Sequence, residues 1–153
     1  MLYGLALLAG IVAGSRTFTA PAAVSWAARL GYLNLDGSGL AFMGYRWTPW
    51  IFTLLAIVEM VGDQLPSTPS RKVPMQFGAR IVGGALSGAT LGAAGGSWII
   101  GLIAGAIGAV IGTFGGAEIR SYLARAFGRD TPAAFLEDAG AIILGLIIIW
   151  ALR

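Results

Sequence analysis

Glu59 and Asp63, in the run Ile57-Val58-Glu59-Met60-Val61-Gly62-Asp63, are four residues apart and share one face of a helix. Two carboxylates side by side in an apolar stretch repel each other unless a cation, a proton or an arginine lies between them. Arg16 and Arg80 also fall inside apolar stretches and are the natural partners. Two readings follow. In one, Glu59 and Asp63 hold a proton or a hard, oxygen-liking cation. In the other, the same charges are internal ties that pin helices together. Under the first reading, Glu59→Gln folds normally and loses ion binding. Arg16 stands among the hydroxyls of Ser15, Thr17 and Thr19, so a helix that opened there would surround a guanidinium with free amides, a setting for an anion or polar headgroup. Glu137 and Asp138 open the last apolar stretch. Neighbours on a helix point about 100° apart, so one of them, taken as Glu137, faces the interior.

Much chemistry is excluded by what the chain lacks. It has no Cys and no His, which removes thiolate and imidazole metal sites, cysteine nucleophiles and imidazole proton shuttles. No nucleophile elbow, phosphate-binding loop or cofactor fingerprint is present, so the chain reads as a non-enzyme without a cofactor. Its net charge of +3 comes without an aromatic-interleaved basic patch and does not indicate nucleic acid.

The elements that carry these charges are strongly apolar. The 153 residues are 57% hydrophobic and 11% charged, with a mean hydropathy of +0.80. The sequence predicts an all-α, polytopic transmembrane helical bundle of about five segments: 2–30, 47–64, 77–94, 98–114 with a polar extension to 127, and 132–151. The first is too long for one crossing and is interrupted by Ser15-Arg16-Thr17-Phe18-Thr19-Ala20-Pro21. It is therefore either strongly tilted or broken into two half-helices. A shift of 96 residues sets 10–30 over 106–126 with seven identities, among them Thr17-Phe18 over Thr113-Phe114. This suggests one domain built as an inverted repeat, units 1–64 and 97–153 around a central helix at 77–96. The corresponding breaks would be Pro21 in helix one and Gly115-Gly116 in helix four. Composition alone, in a chain rich in Gly and Ala, is the competing explanation.

Basic residues crowd the connectors after segments two and four (Arg71, Lys72, Arg120, Arg125, Arg129), which places those connectors in the cytoplasm. With five crossings the N-terminus is inside and the C-terminus outside, and Trp26, Trp47, Trp50, Trp98 and Trp150 all fall at outer segment ends. Ser70, Arg71 and Lys72 could grip a lipid phosphate, or serve only as a topology determinant. Gly84, Gly88, Gly92 and Gly96 recur every four residues, as do Gly108 and Gly112, which predicts close helix packing within the chain or between copies in a homodimer.

Three stretches taken together carry a resemblance. They are Gly14-Ser15-Arg16 followed by Pro21; Glu59, Asp63 and Pro66 running into Thr68-Pro69-Ser70-Arg71; and Arg80 opening a glycine-rich helix. With Glu137-Asp138 they resemble the bacterial membrane family known as domain of unknown function 4126, over nearly the whole chain. The resemblance implies a small multi-pass protein of the bacterial cytoplasmic (inner) membrane whose charged motif residues are the functional ones, and it names no substrate. The combined expectation is a transporter or channel for a small ion or polar solute, with Ser15, Arg16, Thr17, Glu59, Asp63, Arg80 and Glu137 as its site. The alternative is a non-transporting membrane module that binds lipid headgroups or scaffolds a partner protein.

Overall fold

The structure, a computed structural model, describes residues 1–65 and 73–153. Among them it is all-helical, with no strand: α1 (Leu2–Ser15), α2 (Thr19–Arg29), a short 3-10 turn (Ala41–Gly44), α3 (Thr48–Gly62), α4 (Pro74–Ala94), α5 (Trp98–Phe127) and α6 (Asp130–Leu152). Two of these, α5 and α6, are long and apolar enough to cross a membrane, while α1 and α3 are apolar but shorter.

The first apolar segment is broken. Arg16 leaves helical geometry at φ −137°, ψ 111°, and α2 begins three residues later. Pro21 is the physical cause. It has no N–H to give to the carbonyl of Thr17, and its ring clashes there, so a helix running on through Ser15–Pro21 would be kinked or broken at a cost of about 3 kcal/mol. In the first turn of α2 the same proline costs nothing, because that N–H would have no helical partner.

The chain reverses at the break. At its start α1 lies beside the α4–α5 turn, where the Tyr3 hydroxyl donates to the Gly95 carbonyl at 3.0 Å. At its other end, the carbonyls of Gly14 and Ser15 meet Arg80. α2 then climbs back along α6: Asp138 lies at Arg16, whereas Gly145, two turns on, faces Thr19 and Ala23. α3 descends beside α2, with Trp26 Nε1 donating to Thr53 Oγ1 at 3.0 Å near its start and Glu59 reaching the break near its end. Leu33 and Leu35, beyond α2, join the same apolar core as Leu2 and Leu5. The first segment is thus a hairpin that enters and leaves at one end of the bundle, with Ser15–Phe18 at its tip.

Three sequence expectations are corrected. α1 runs toward the tip from the Tyr3–Gly95 end, and α6 runs away from the tip, from Asp138 at Arg16 to Gly145 at Ala23, so both termini lie at one end of the bundle, not at opposite ends. Helix four is not broken: α5 runs unbroken through Gly115-Gly116. Glycine weakens a helix but, unlike proline, removes no hydrogen bond. Nor does the match of 10–30 over 106–126 form one inverted unit. Leu7 and Ile11 of α1 lie on Gly108 and Gly112 of α5 in the same order, so the two helices run parallel. The other half of the same segment, α2, runs back against α5, because the hairpin reverses the chain within the segment.

The glycine stripes lie where helices touch, and their partners are in this chain. A Cβ added to Gly84 would sit 2.7 Å from the Gly105 carbonyl oxygen, and one on Gly92 would sit 2.7 Å from the Gly101 Cα. Gly108 and Gly112 face the backbone of α1 at Leu7 and Ile11. Gly10, Gly14, Gly101 and Gly105 complete this set, so α1, α4 and α5 form one close-packed core. Gly96 does not belong to it. With φ +98° and no atom within 4 Å of its would-be Cβ, Gly96 is a turn residue.

Large apolar side chains cover the outside of the helices, and several polar ones lie within. Ile51, Leu54, Ile103, Ile107, Ile143 and Leu146 are exposed, whereas Arg16, Arg80, Ser87, Thr90, Thr113 and Asp138 are buried. The five tryptophans fall at helix ends on the side of the termini, Trp26 packing edge-on against Trp50 at 5.0 Å.

Candidate functional site

Breaking a helix inside a protein frees carbonyls on one side of the gap and amides on the other. Here both are met by charge. The Arg80 guanidinium, on α4, donates to the Gly14 carbonyl at 3.0 Å and to the Ser15 carbonyl at 2.7 Å, where the end of α1 is electronegative. Glu59, on α3, accepts the Thr17 N–H at 2.8 Å and the Phe18 N–H at 3.1 Å, where α2 begins and its dipole favours an anion. Arg80 and Glu59 also pair with each other at 3.8 Å. Pro21 opens the helix, and this pair holds the opening.

Arg16 projects from the tip the other way and is completely buried. It pairs with Asp63 of α3 and with Asp138 of α6, and its Nη2 lies 3.7 Å from Glu137. Gln64 Nε2 donates to the far oxygen of Asp138 at 3.3 Å. Arg120 of α5 forms a second tier. Its guanidinium is bidentate to Asp130, at 3.0 and 2.6 Å, donates to Glu137 at 3.3 Å and lies 3.9 Å from Asp63. Asp63 and Glu137 are therefore shared between Arg16 and Arg120.

Ser15, Arg16, Thr17, Glu59, Asp63, Arg80 and Glu137 do converge, each at the hairpin tip or on a helix packed against it. Glu59 and Asp63 are divided between different partners, Glu59 on the α2 amides and Asp63 on Arg16. Thr17 contributes through its backbone N–H. Ser70, Arg71 and Lys72 lie outside the described residues. No group of three or more acidic side chains poised for a metal occurs among the described residues.

Sequence reasoning missed Asp138, Arg120, Asp130 and Gln64. A signal for Asp138 was present: Ala134, Asp138, Ala141 and Gly145 are spaced four, three and four, a stripe of small residues marking the inward face of α6. Glu137, chosen instead, turns toward α5. Arg120 had no such signal, because on sequence it is one more basic residue of a connector.

A cavity of about 200 Å³ lies against the tip, between α1, α5 and α6. Its polar end is Ser15, Arg120 and Glu137, and Val12, Leu136 and Leu144 contribute apolar walls.

The geometry makes Glu59 a tie of the hairpin. Gln at position 59 has one acceptor oxygen, and its amide nitrogen would face a backbone N–H. Glu59→Gln should therefore lose about 1–3 kcal/mol of stability, not fold unchanged, and a thermal melt of the purified variant measures it.

The sequence matches no protein-family model, and no curated protein or solved structure matches it either.

Proposed function

We propose that the protein is a small multi-pass transporter or channel for a small ion or polar solute. Its site is the tip of the α1–α2 hairpin, approached through the cavity at Ser15, Arg120 and Glu137. In this reading α3, α4, α5 and α6 cross the bilayer and α1–α2 enters it without crossing. The observation that carries the reading is the broken hairpin itself. Non-helical backbone at membrane depth is tolerated where it lines a protein-enclosed or watered space, and broken helices build many transport sites. The cavity ending on two charged side chains at that depth supports it.

By the positive-inside bias of Arg120, Arg125 and Arg129, the α5–α6 turn faces the cytoplasm of a bacterial inner membrane and both termini face outward. Cysteines placed at Leu2 and at Arg153 are expected to label from the same side of sealed vesicles. Labelling from opposite sides would remove the hairpin topology. Kinship with the family of domain of unknown function 4126 rests on the motif residues that the hairpin tip gathers. Homodimerisation, through the apolar outer faces, belongs to the same reading.

The pairing of Glu59 with Arg80 and the α2 amides, and of Arg16 with Asp63 and Asp138, favours the second reading, a non-transporting module held together by its charges. The discriminating test is protein-dependent flux of a panel of small ions and polar solutes into liposomes, for wild type and Gly140→Leu. Gly140 lines the cavity and has open space around it, so leucine fills the cavity without a clash. Flux of at least one solute, lost in the variant, is expected. Absence of flux for the whole panel from folded protein would leave the module reading.

A further inference from the structure

We propose that Arg120 is a latch on the cavity beside the hairpin tip, and that the lower part of α5 swings about Gly115-Gly116 to open it toward the α5–α6 turn. This regulates the site of the transport reading and rests on it. Above Gly112, α5 is clamped by backbone-to-backbone contact with α1 and α4. Below it the clamp ends: a Cβ on Gly115 would meet nothing within 4 Å, and Ile119, Tyr122 and Phe127 are exposed. A glycine pair at the edge of a rigid core is where a helix bends most easily. Gly116 and Arg120 both line the cavity, one turn apart, so a bend at the glycines carries Arg120 away from its mouth.

The charges are arranged for such a movement. Arg16 is fully buried and held from two helices, so it stays. Arg120 is at the rim, and its bidentate partner Asp130 has a side chain that is 60% exposed, so water can replace that pair. When Arg120 leaves, Asp63 and Glu137 remain beside Arg16, which they already share with it. No buried carboxylate is stripped of its cation by the opening.

The test uses the full chain in liposomes, with Ser15→Cys as a reporter inside the cavity; the protein has no cysteine of its own. A membrane-impermeant methanethiosulfonate is applied from the α5–α6 side. Asp130→Asn, which loosens the latch, should raise the labelling rate about two- to five-fold, the change expected from losing an ion pair of this exposure. Gly115→Ala, which stiffens the hinge where a Cβ has room, should lower it by a similar factor through the helix preference of alanine. A second reporter, Gly39→Cys, at the opposite end and labelled from that side, should be unmoved in both. Rates unchanged in both variants, or shifted in the reverse directions, overturn the latch. Should Asp130→Asn fail to fold, the Gly115→Ala arm decides alone. The labelling needs no substrate, so the expected pattern in a protein without flux would remove the transport reading and leave the latch standing.

Discussion

Arg16→Gln is expected to unfold far more readily than wild type, with a loss of about 3–5 kcal/mol. Arg16 has no exposed surface, and it is the only guanidinium that Asp138 pairs with among the contacts described. Removing its charge strips Asp138 of its guanidinium and leaves Asp63 and Glu137 with Arg120 alone, in a poorly hydrated space where an unpaired carboxylate is costly. Arg16→Lys should recover only part of the loss, because a point ammonium cannot span carboxylates on two different helices. The loss should also be non-additive: Asp138→Asn in the Arg16→Gln background removes a charge that has lost its partner, and should be less harmful there than in wild type. Thermal melts of the four proteins after detergent extraction measure this cycle. An Arg16→Gln variant within about 1 kcal/mol of wild type would show that the cluster is hydrated and not a tie.

The second large effect belongs to Gly105. It sits where α5 meets α4 and α1, and its would-be Cβ lies 2.9 Å from the Gly84 carbonyl carbon and 3.0 Å from the Gly88 Cα. Seen from the other side, a Cβ on Gly10 would lie 2.9 Å from the Gly105 carbonyl carbon. These obstacles are backbone atoms, which cannot rotate aside as a side chain can. Gly105→Ala should reach or exceed the upper end of the usual overpacking cost of about 1–3 kcal/mol, and Gly105→Leu should prevent assembly of the helices. Gly88→Leu and Gly92→Leu should behave similarly. Gly115→Ala is the internal control: it meets open space, and alanine's helix preference should leave the variant as stable as wild type or up to about 1 kcal/mol more so. Melting temperature and elution volume of these variants check the contrast. Equal stability of Gly105→Ala and Gly115→Ala would contradict the close approach of the three helices.

Much of the site was legible before any coordinates. Arg16, Glu59, Asp63 and Arg80 stood out because charge in apolar sequence demands a partner, and each has one in the structure. The pairing was not legible. Glu59 and Asp63 share a helix face, which suggests one common cation, yet they are one turn apart along the axis. That single turn is enough for Glu59 to reach the α2 amides while Asp63 reaches Arg16. Likewise Glu137 and Asp138 are indistinguishable by neighbourhood, and only the rotation of α6 about its axis decides which one turns toward Arg16.

By itself the sequence determined the helical class, the positions of nearly all the helices, an interruption at Ser15–Pro21 that leaves a tilt or a break, and the close contact at Gly84, Gly88, Gly92, Gly108 and Gly112. These follow from local rules: hydropathy over a helix length, a missing proline N–H, a missing Cβ. The tertiary structure alone decided the direction of the chain after the break. A gap in a helix at Arg16 permits continuation or reversal with the same local geometry at Pro21, and what selects reversal is remote. Arg80, 64 positions on, binds the freed carbonyls, Glu59 binds the freed amides, and Asp63 and Asp138 hold Arg16 between two other helices. Once the chain turns back, the N-terminus moves to the end that holds the C-terminus, and of the first segment α1 runs parallel to α5 while α2 runs against it. No count of apolar stretches could reveal that, because reversal changes neither their number nor their composition.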